Sequence, residues 1–222
     1  MGGNMKKIAV VLSGSGVFDG SEIHESVITL LALDKAGASV QCFAPNIEQC
    51  HVVNHLTGEV AENETRNVLV ESARIARGNI KDIADAQASD FDAVIFPGGF
   101  GAAKNLSDFA FKGSECHIQK DVEIFAKEAV KIGLPLGFMC IAPAMIPRIY
   151  GDGAKLTIGT DVETAANINA MGGVHVACPT TEFVIDKKLR VVSTPAYMSA
   201  NSISEAAIGI EKLVNEVLKL IP

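Results

Sequence analysis

Cys140 stands where the apolar run Leu134-Pro-Leu-Gly-Phe-Met139 stops and Ile141-Ala-Pro143 begins. The run reads as a buried strand, and small or constrained residues around its end (Gly137, Ala142, Pro143, Ala144) allow a tight turn into a helix. Alone, a cysteine at a buried strand end serves core packing more often than catalysis. At a helix N-terminus, aligned N–H groups and the dipole are expected to lower the thiol pKa and hold a nucleophilic thiolate. The amide of Ile141 would then face an oxyanion formed by attack.

Two further stretches bear on the same chemistry. In Pro97-Gly-Gly-Phe-Gly101, the glycines let backbone N–H groups approach a ligand oxygen, so Gly99 is a candidate second oxyanion donor. The G-x-x-x-x-G-K-[ST] spacing of a phosphate loop is absent. In Asp19-Gly-Ser-Glu-Ile-His-Glu25, Glu25 is placed to hydrogen-bond a thiol and shuttle its proton. Glu22, three residues earlier, lies on roughly the same helix face and competes for that role. Two carboxylates so close would raise one pKa and keep one group protonated. His24 and His55 are further candidates, although adjacent helix residues point about 100° apart, which sets His24 away from Glu25.

These loops need a scaffold. Lys6–Leu12 reads as a buried strand, and Ile23, Val27, Leu30 and Leu31 follow the i, i+4, i+7, i+8 spacing of a helix. Ser39–Ala44 is a second strand, completing a βαβ unit. Residues 45–64 lack a sustained period, and Asn54-His-Leu-Thr-Gly58 reads as an inserted hairpin or loop. A helix over 67–77 is expected to turn Val68, Leu69, Ser72 and Ile75 inward. A third strand follows at Asp92–Phe96, a helix over 122–132, and a fourth strand at Leu134–Met139. Short strands are expected at 155–158, 183–185 and 189–192, and a closing helix over 202–220. This alternation specifies an α/β fold with a doubly wound, mostly parallel sheet sandwiched by helices. Ligands bind such sheets at the carboxyl ends of the strands, where all three loops converge.

A chain of 222 residues fits one domain, taken as 5–222, with Met1-Gly-Gly-Asn4 as a disordered lead-in or cloning remnant. The net charge of −7 argues against nonspecific binding to nucleic acid or an acidic membrane. No apolar run reaches the roughly 20 residues of a membrane span, and the N-terminus lacks the core of a secretory signal. The five scattered cysteines form no C-x-x-C pair, which suggests neither a disulfide framework nor a metal site. A reducing compartment, the cytoplasm, is expected.

With these stretches assembled, the sequence resembles the ThiJ/PfpI, or class I glutamine amidotransferase-like, superfamily across nearly the whole chain. The resemblance is carried by Glu25-Ser-Val-Ile, Phe96-Pro-Gly-Gly-Phe-Gly-Ala-Ala-Lys-Asn-Leu106 and Phe138-Met-Cys-Ile-Ala-Pro143. Ser13-Gly-Ser-Gly-Val-Phe-Asp-Gly-Ser-Glu-Ile-His-Glu25, Asn54-His-Leu-Thr-Gly58 and Thr194-Pro-Ala-Tyr-Met198 resemble its enhancing-lycopene-biosynthesis (sigma cross-reacting, isoprenoid biosynthesis) branch. The resemblance implies a flavodoxin-like fold, Cys140 as the elbow nucleophile, Glu25 as its acid partner, and Gly99 and Ile141 as amide donors. It also implies a homodimer, no cofactor, and glyoxalase-type conversion of small 2-oxoaldehydes to hydroxy acids, with an association to isoprenoid biosynthesis. Two departures narrow this. Ser193–Tyr197 lacks the late His-x-Glu pair of glutaminases, and no histidine lies between Cys140 and His175. Glutamine hydrolysis is therefore disfavoured, whereas a Cys/Glu pair suffices to isomerise a dicarbonyl. The alternative is a redox-sensing or regulatory binding protein with a reactive Cys140 and little turnover.

Overall fold

The computed structural model describes residues 5–222; the lead-in expected over 1–4 lies outside them. The chain begins with β1 (Lys7–Val11), α1 (Ile23–Lys35) and β2 (Ser39–Ala44), and the insertion then folds as a hairpin of β3 (Val53–Asn54) and β4 (Glu59–Val60). Next come α2 (Val68–Ile75), β5 (Ile80–Asp82), β6 (Ala93–Phe96), α3 (Phe100–Lys104), α4 (Phe109–Lys112), α5 (Lys120–Lys131) and β7 (Leu136–Met139). The chain finishes with α6 (Ile146–Tyr150), β8 (Lys155–Leu156), α7 (Val162–Ala170), β9 (Val174–His175), β10 (Val184–Asp186), β11 (Val191–Thr194) and α8 (Ile203–Leu220).

Seven strands form the main sheet in the order β10-β11-β7-β6-β1-β2-β5. Every pairing is parallel except β10 with β11. Because successive side chains alternate faces, the central strands feed two cores. Ala9, Val11, Val94, Phe96 and Phe138 pack toward Val122, Phe125 and Ala129 of α5. Ile8, Val10 and Ile95 pack toward Ile210, Leu213, Val214 and Val217 of α8. β1 pairs with β2 on one side and β6 on the other, so the chain reverses its winding direction beside β1. That switch point, with the end of β7 one strand away, is where the three loops meet.

Several elements differ from the expectations. β5 was not foreseen, because Ile80-Lys-Asp82 is too short and polar to read as a strand. Nor was α7, whose Thr164, Asn167 and Asn169 mask its period. The strand expected at 155–158 is only two residues long and pairs with β9 outside the main sheet. β11 lies two residues beyond the expected 189–192. In α2, Val68, Glu71 and Ser72 are buried, whereas Leu69 and Ile75 are only half-buried. Ser72 is drawn in because its hydroxyl accepts from the Gly14 amide at 2.8 Å.

α1 forms where the spacing marks a helix, but Ile23, Val27 and Leu31 face out at 44%, 49% and 46% exposure, Leu30 is half-buried, and Glu25, Ser26, Thr29 and Leu33 face in. The inward hydroxyls are satisfied within the helix: Ser26 donates to the Glu22 carbonyl and Thr29 to the Glu25 carbonyl, each at 2.8 Å. Burial therefore leaves them no unmet hydrogen bond.

At Gly137, in the middle of β7, α8 lies directly on the strand. A β-carbon there would sit 2.8 Å from Leu213 Cδ2 and 2.9 Å from Val217 Cγ2. Gly137→Ala is expected to lower urea-unfolding stability by roughly 1–3 kcal/mol through overpacking. An unchanged midpoint would show that α8 yields freely.

Candidate active site

β7 delivers Cys140 into an unusual backbone conformation. Its φ is +60°, in the left-handed region that L-residues other than glycine, asparagine and aspartate rarely adopt. The Cys140 amide donates to the Thr194 carbonyl at 3.1 Å, tying the elbow to β11. A 3-10 turn over Ala142–Met145 follows and leads into α6. Thus a tight turn, rather than a long α-helix, receives the cysteine.

The β6–α3 turn fits against the elbow because Gly98 carries no side chain. A β-carbon there would lie 2.4 Å from Cys140 Cβ and 2.7 Å from Glu25 Oε1. With only hydrogen at that position, the Gly98 amide donates to Glu25 Oε1 at 2.9 Å. Gly99 has φ +94° and opens α3. Its N–H and that of Ile141 both approach the Cys140 sulfur and favour its ionised form. The two amides named from the sequence thus converge on one atom.

Glu25 is fully buried. Its other oxygen accepts from the Tyr197 amide at 3.2 Å, and the Cys140 thiol hydrogen-bonds to the carboxyl group. Burial, helped by the nearby Glu22 carboxylate, raises the Glu25 pKa to about 8 despite these three donors. Glu22 itself caps α1, its Oε2 accepting from the Glu25 amide at 2.6 Å. The carboxylate pair expected from the sequence therefore exists, with Glu25 as the member pushed up.

The thiol does not follow its expectation. Burial, and then the Glu25 charge, push Cys140 well above the ordinary thiol range, and the Gly99 and Ile141 amides only partly offset them. Cys140 is 7% exposed, so desolvation outweighs the few amides that the short turn can offer. The resting pair is a neutral thiol beside a largely protonated acid at neutral pH, and its protons belong to both groups jointly.

Neither histidine touches the sulfur. His24 is exposed and its Nδ1 lies 2.9 Å from the Tyr197 hydroxyl, so it adjoins the site through Tyr197. His55 is placed elsewhere. It stacks on Phe18 at 4.9 Å, its Nε2 accepts from the Phe18 amide at 3.2 Å, and its Nδ1 faces the Val53 carbonyl. It braces the Ser13–Glu25 loop from the hairpin side.

The residue that sequence reasoning missed is Tyr197. It stands in the branch-like stretch Thr194–Met198 and in the histidine-free Ser193–Tyr197 without a site role, yet its amide holds Glu25 and the residue lines the cavity. That cavity, of about 390 Å³, opens onto Cys140 and is walled by Val17, Phe100, Ala103, Phe109, Ala110 and Met198. These residues come from loops and very short helices whose apolar character carries no period. Among the described residues, no cluster of three His, Cys, Asp or Glu side chains could hold a metal. All five cysteines are free.

An elbow cysteine, a buried acid and two amides at the switch point of this seven-stranded sheet define a class I glutamine amidotransferase-like protein with the DJ-1/ThiJ/PfpI fold. No family model matches the chain. A human protein named glutamine amidotransferase-like class 1 domain-containing protein 3, mitochondrial, is 45% identical over 223 residues, covering 96% of this chain and 83% of its own. The rat ES1 protein homolog, mitochondrial, is 44% identical over 96% of this chain and 84% of its own. A crystal structure from Ehrlichia chaffeensis, an isoprenoid biosynthesis protein with an amidotransferase-like domain, is 38% identical with a TM-score of 0.91, covering 98% of this chain and 100% of that one. The chain belongs to this glutamine amidotransferase-like class 1, or ES1, family. Glyoxalase III from Candida albicans shares the fold at a TM-score of 0.65 and 17% identity, covering 100% of this chain and 99% of its own.

The mitochondrial names of the human and rat relatives overturn the cytoplasmic placement expected from the thiols. Unpaired cysteines separate reducing from oxidising surroundings but do not distinguish between two reducing ones. No helix among the described residues is long and apolar enough to cross a membrane.

Glu25 also links pH to stability. An unfolded chain releases this proton near pH 4.3, whereas the folded state holds it to about 8. Between those values the folded state binds more protons, so stability falls as pH rises, on the order of 5 kcal/mol in all. Urea unfolding is expected to weaken from pH 5 to pH 8 in the wild type and to show a flatter slope in Glu25→Gln. Equal slopes would remove Glu25 as the cause.

Proposed function

We propose that residues 5–222 form a single-domain, cofactor-independent glyoxalase-type enzyme that converts small 2-oxoaldehydes to 2-hydroxy acids. The observation that carries this reading is the buried Glu25 carboxyl, raised to about 8 and hydrogen-bonded to the Cys140 thiol. A carboxyl poised near neutral pH both donates and accepts protons, which dicarbonyl isomerisation needs and an imidazole-free site must supply.

Glu25, as carboxylate, takes the thiol proton while the Cys140 sulfur adds to the aldehyde carbon. The proton passes to the aldehyde oxygen, giving a hemithioacetal whose oxygen faces the Gly99 and Ile141 amides. Glu25 then removes the hydrogen from the former aldehyde carbon, the neighbouring ketone oxygen takes up the hydroxyl proton as an enediolate forms, and a proton returns to the adjacent carbon. This leaves a thioester of the hydroxy acid. Water cleaves it, releasing the acid and restoring the thiol. The sum is addition of one water with internal redox exchange, so no outside oxidant is required. Peptide and amide hydrolysis fit less well, because protonating an amine leaving group without an imidazole is harder.

The redox-sensor alternative is weaker on this geometry. Sensor thiols are low in pKa and accessible, whereas Cys140 is buried and pushed upward. The name of the Ehrlichia chaffeensis isoprenoid biosynthesis protein gives a setting and no reacting group. The relatives' names favour a mitochondrial setting.

Lactate formation from methylglyoxal tests the assignment. Cys140→Ala is expected to abolish turnover, and Glu25→Gln to lower kcat/KM by roughly 10²–10⁴. In the wild type, kcat/KM should rise through about pH 8 as Glu25 becomes the base. Turnover that survives in Cys140→Ala would rule out the covalent route.

The exposed α1 stripe supports a homodimer, since Ile23, Val27 and Leu31 form a continuous apolar row. Light scattering should give twice the chain mass for the wild type and a shift toward monomer for Val27→Asp. A monomeric wild type would end that proposal.

A further inference from the structure

The cavity above Cys140 is built for something larger and more apolar than methylglyoxal. Its volume of about 390 Å³ falls within the ~300–1,000 Å³ range of sites that enclose whole organic ligands. Methylglyoxal has five non-hydrogen atoms and would leave much of it filled with water. The walls are side chains of Val17, Phe100, Ala103, Phe109, Ala110 and Met198. No Lys, Arg, His, Asp or Glu side chain is among the lining residues. A phosphate, a carboxylate or a charged thiol adduct would therefore lose its hydration without a counter-charge.

The Tyr197 hydroxyl is already engaged, 2.9 Å from His24 Nδ1, and the Thr164 amide donates to the Asp161 carboxylate that caps α7. Away from the sulfur and its two amides, the space offers a guest little beyond apolar surface. Its geometry is also adjustable at one wall and fixed at another. Met198 is unbranched and adapts to shape, whereas the Phe100 ring lies under the Lys104 ammonium at 5.1 Å.

We propose that the protein acts preferentially on neutral 2-oxoaldehydes bearing an apolar substituent of several carbons, the dicarbonyl at Cys140 and the substituent among Phe100, Phe109 and Met198. This rests on the Cys140 chemistry proposed above and names its substrate class. Small side chains at Ala103 and Ala110 make the room, so they set the permitted length.

The test is a series of methyl-, propyl- and pentylglyoxal. Each buried methylene should raise kcat/KM about fourfold until the cavity is full. Ala110→Phe, at an exposed position that a larger ring does not unfold, should lower the pentyl-to-methyl ratio at least tenfold. A second readout needs no turnover: the rate at which N-methyl-, N-propyl- and N-hexylmaleimide alkylate Cys140, followed by peptide mass and divided by the rate at exposed Cys50. That ratio should climb with chain length and fall back in Ala110→Phe. Alkylation that climbs without turnover on any glyoxal would sink the glyoxalase reading and leave the cavity assignment standing. Turnover that is flat or falling with chain length, with flat alkylation, would sink the cavity assignment and leave the glyoxalase reading.

Discussion

One carboxyl group ties the molecule's working end together. Glu25 extends from α1 and accepts from Gly98 on the β6–α3 turn, Tyr197 beyond β11 and the thiol at the end of β7. Four segments distant in sequence are thereby fixed by one buried acid. The arrangement is costly because burial opposes its charge. Three donors keep that opposition from excluding the carboxylate altogether, so the group titrates near neutrality rather than remaining permanently protonated. The same burial denies Cys140 a standing negative charge. The pair is a reservoir of protons that a guest must mobilise, in contrast to a thiolate waiting in the open.

Much of this was legible in the sequence where a residue's type dictates its backbone. The glycines of Pro97–Gly101 and the strand ending at Cys140 gave away a turn packed against an elbow, and Gly98 meets it with no room for a β-carbon. The main sheet's four long parallel strands were visible as apolar runs. Elements whose identity comes from partners were not. β5 is a strand because β2 offers it a ladder, and β8 takes its partner from β9 in a separate two-stranded sheet. Tyr197 was invisible as a site residue because its amide, not its side chain, holds Glu25.

α1 shows what an apolar spacing leaves open. Apolar spacing marks a helix correctly but names its inner face only when water is the sole alternative to the core. Here the inner face must carry an acid to the elbow, and hydroxyls that bond their own backbone can follow it inside at little cost. The thiol's pKa was misjudged for a related reason. A dipole argument assumes a helix of some length, whereas Pro143 and the short 3-10 turn supply few free amides.

The backbone at Cys140 has a consequence beyond chemistry. At φ +60° an L-residue carries roughly 1–2 kcal/mol of conformational strain that glycine would not feel. Glycine would relieve that strain, but it would also empty the buried space that the thiol fills beside Glu25 and free the unfolded backbone. The elbow therefore holds its side chain in place against a backbone that would rest more easily elsewhere, and the strain is stored at the sulfur-bearing residue itself.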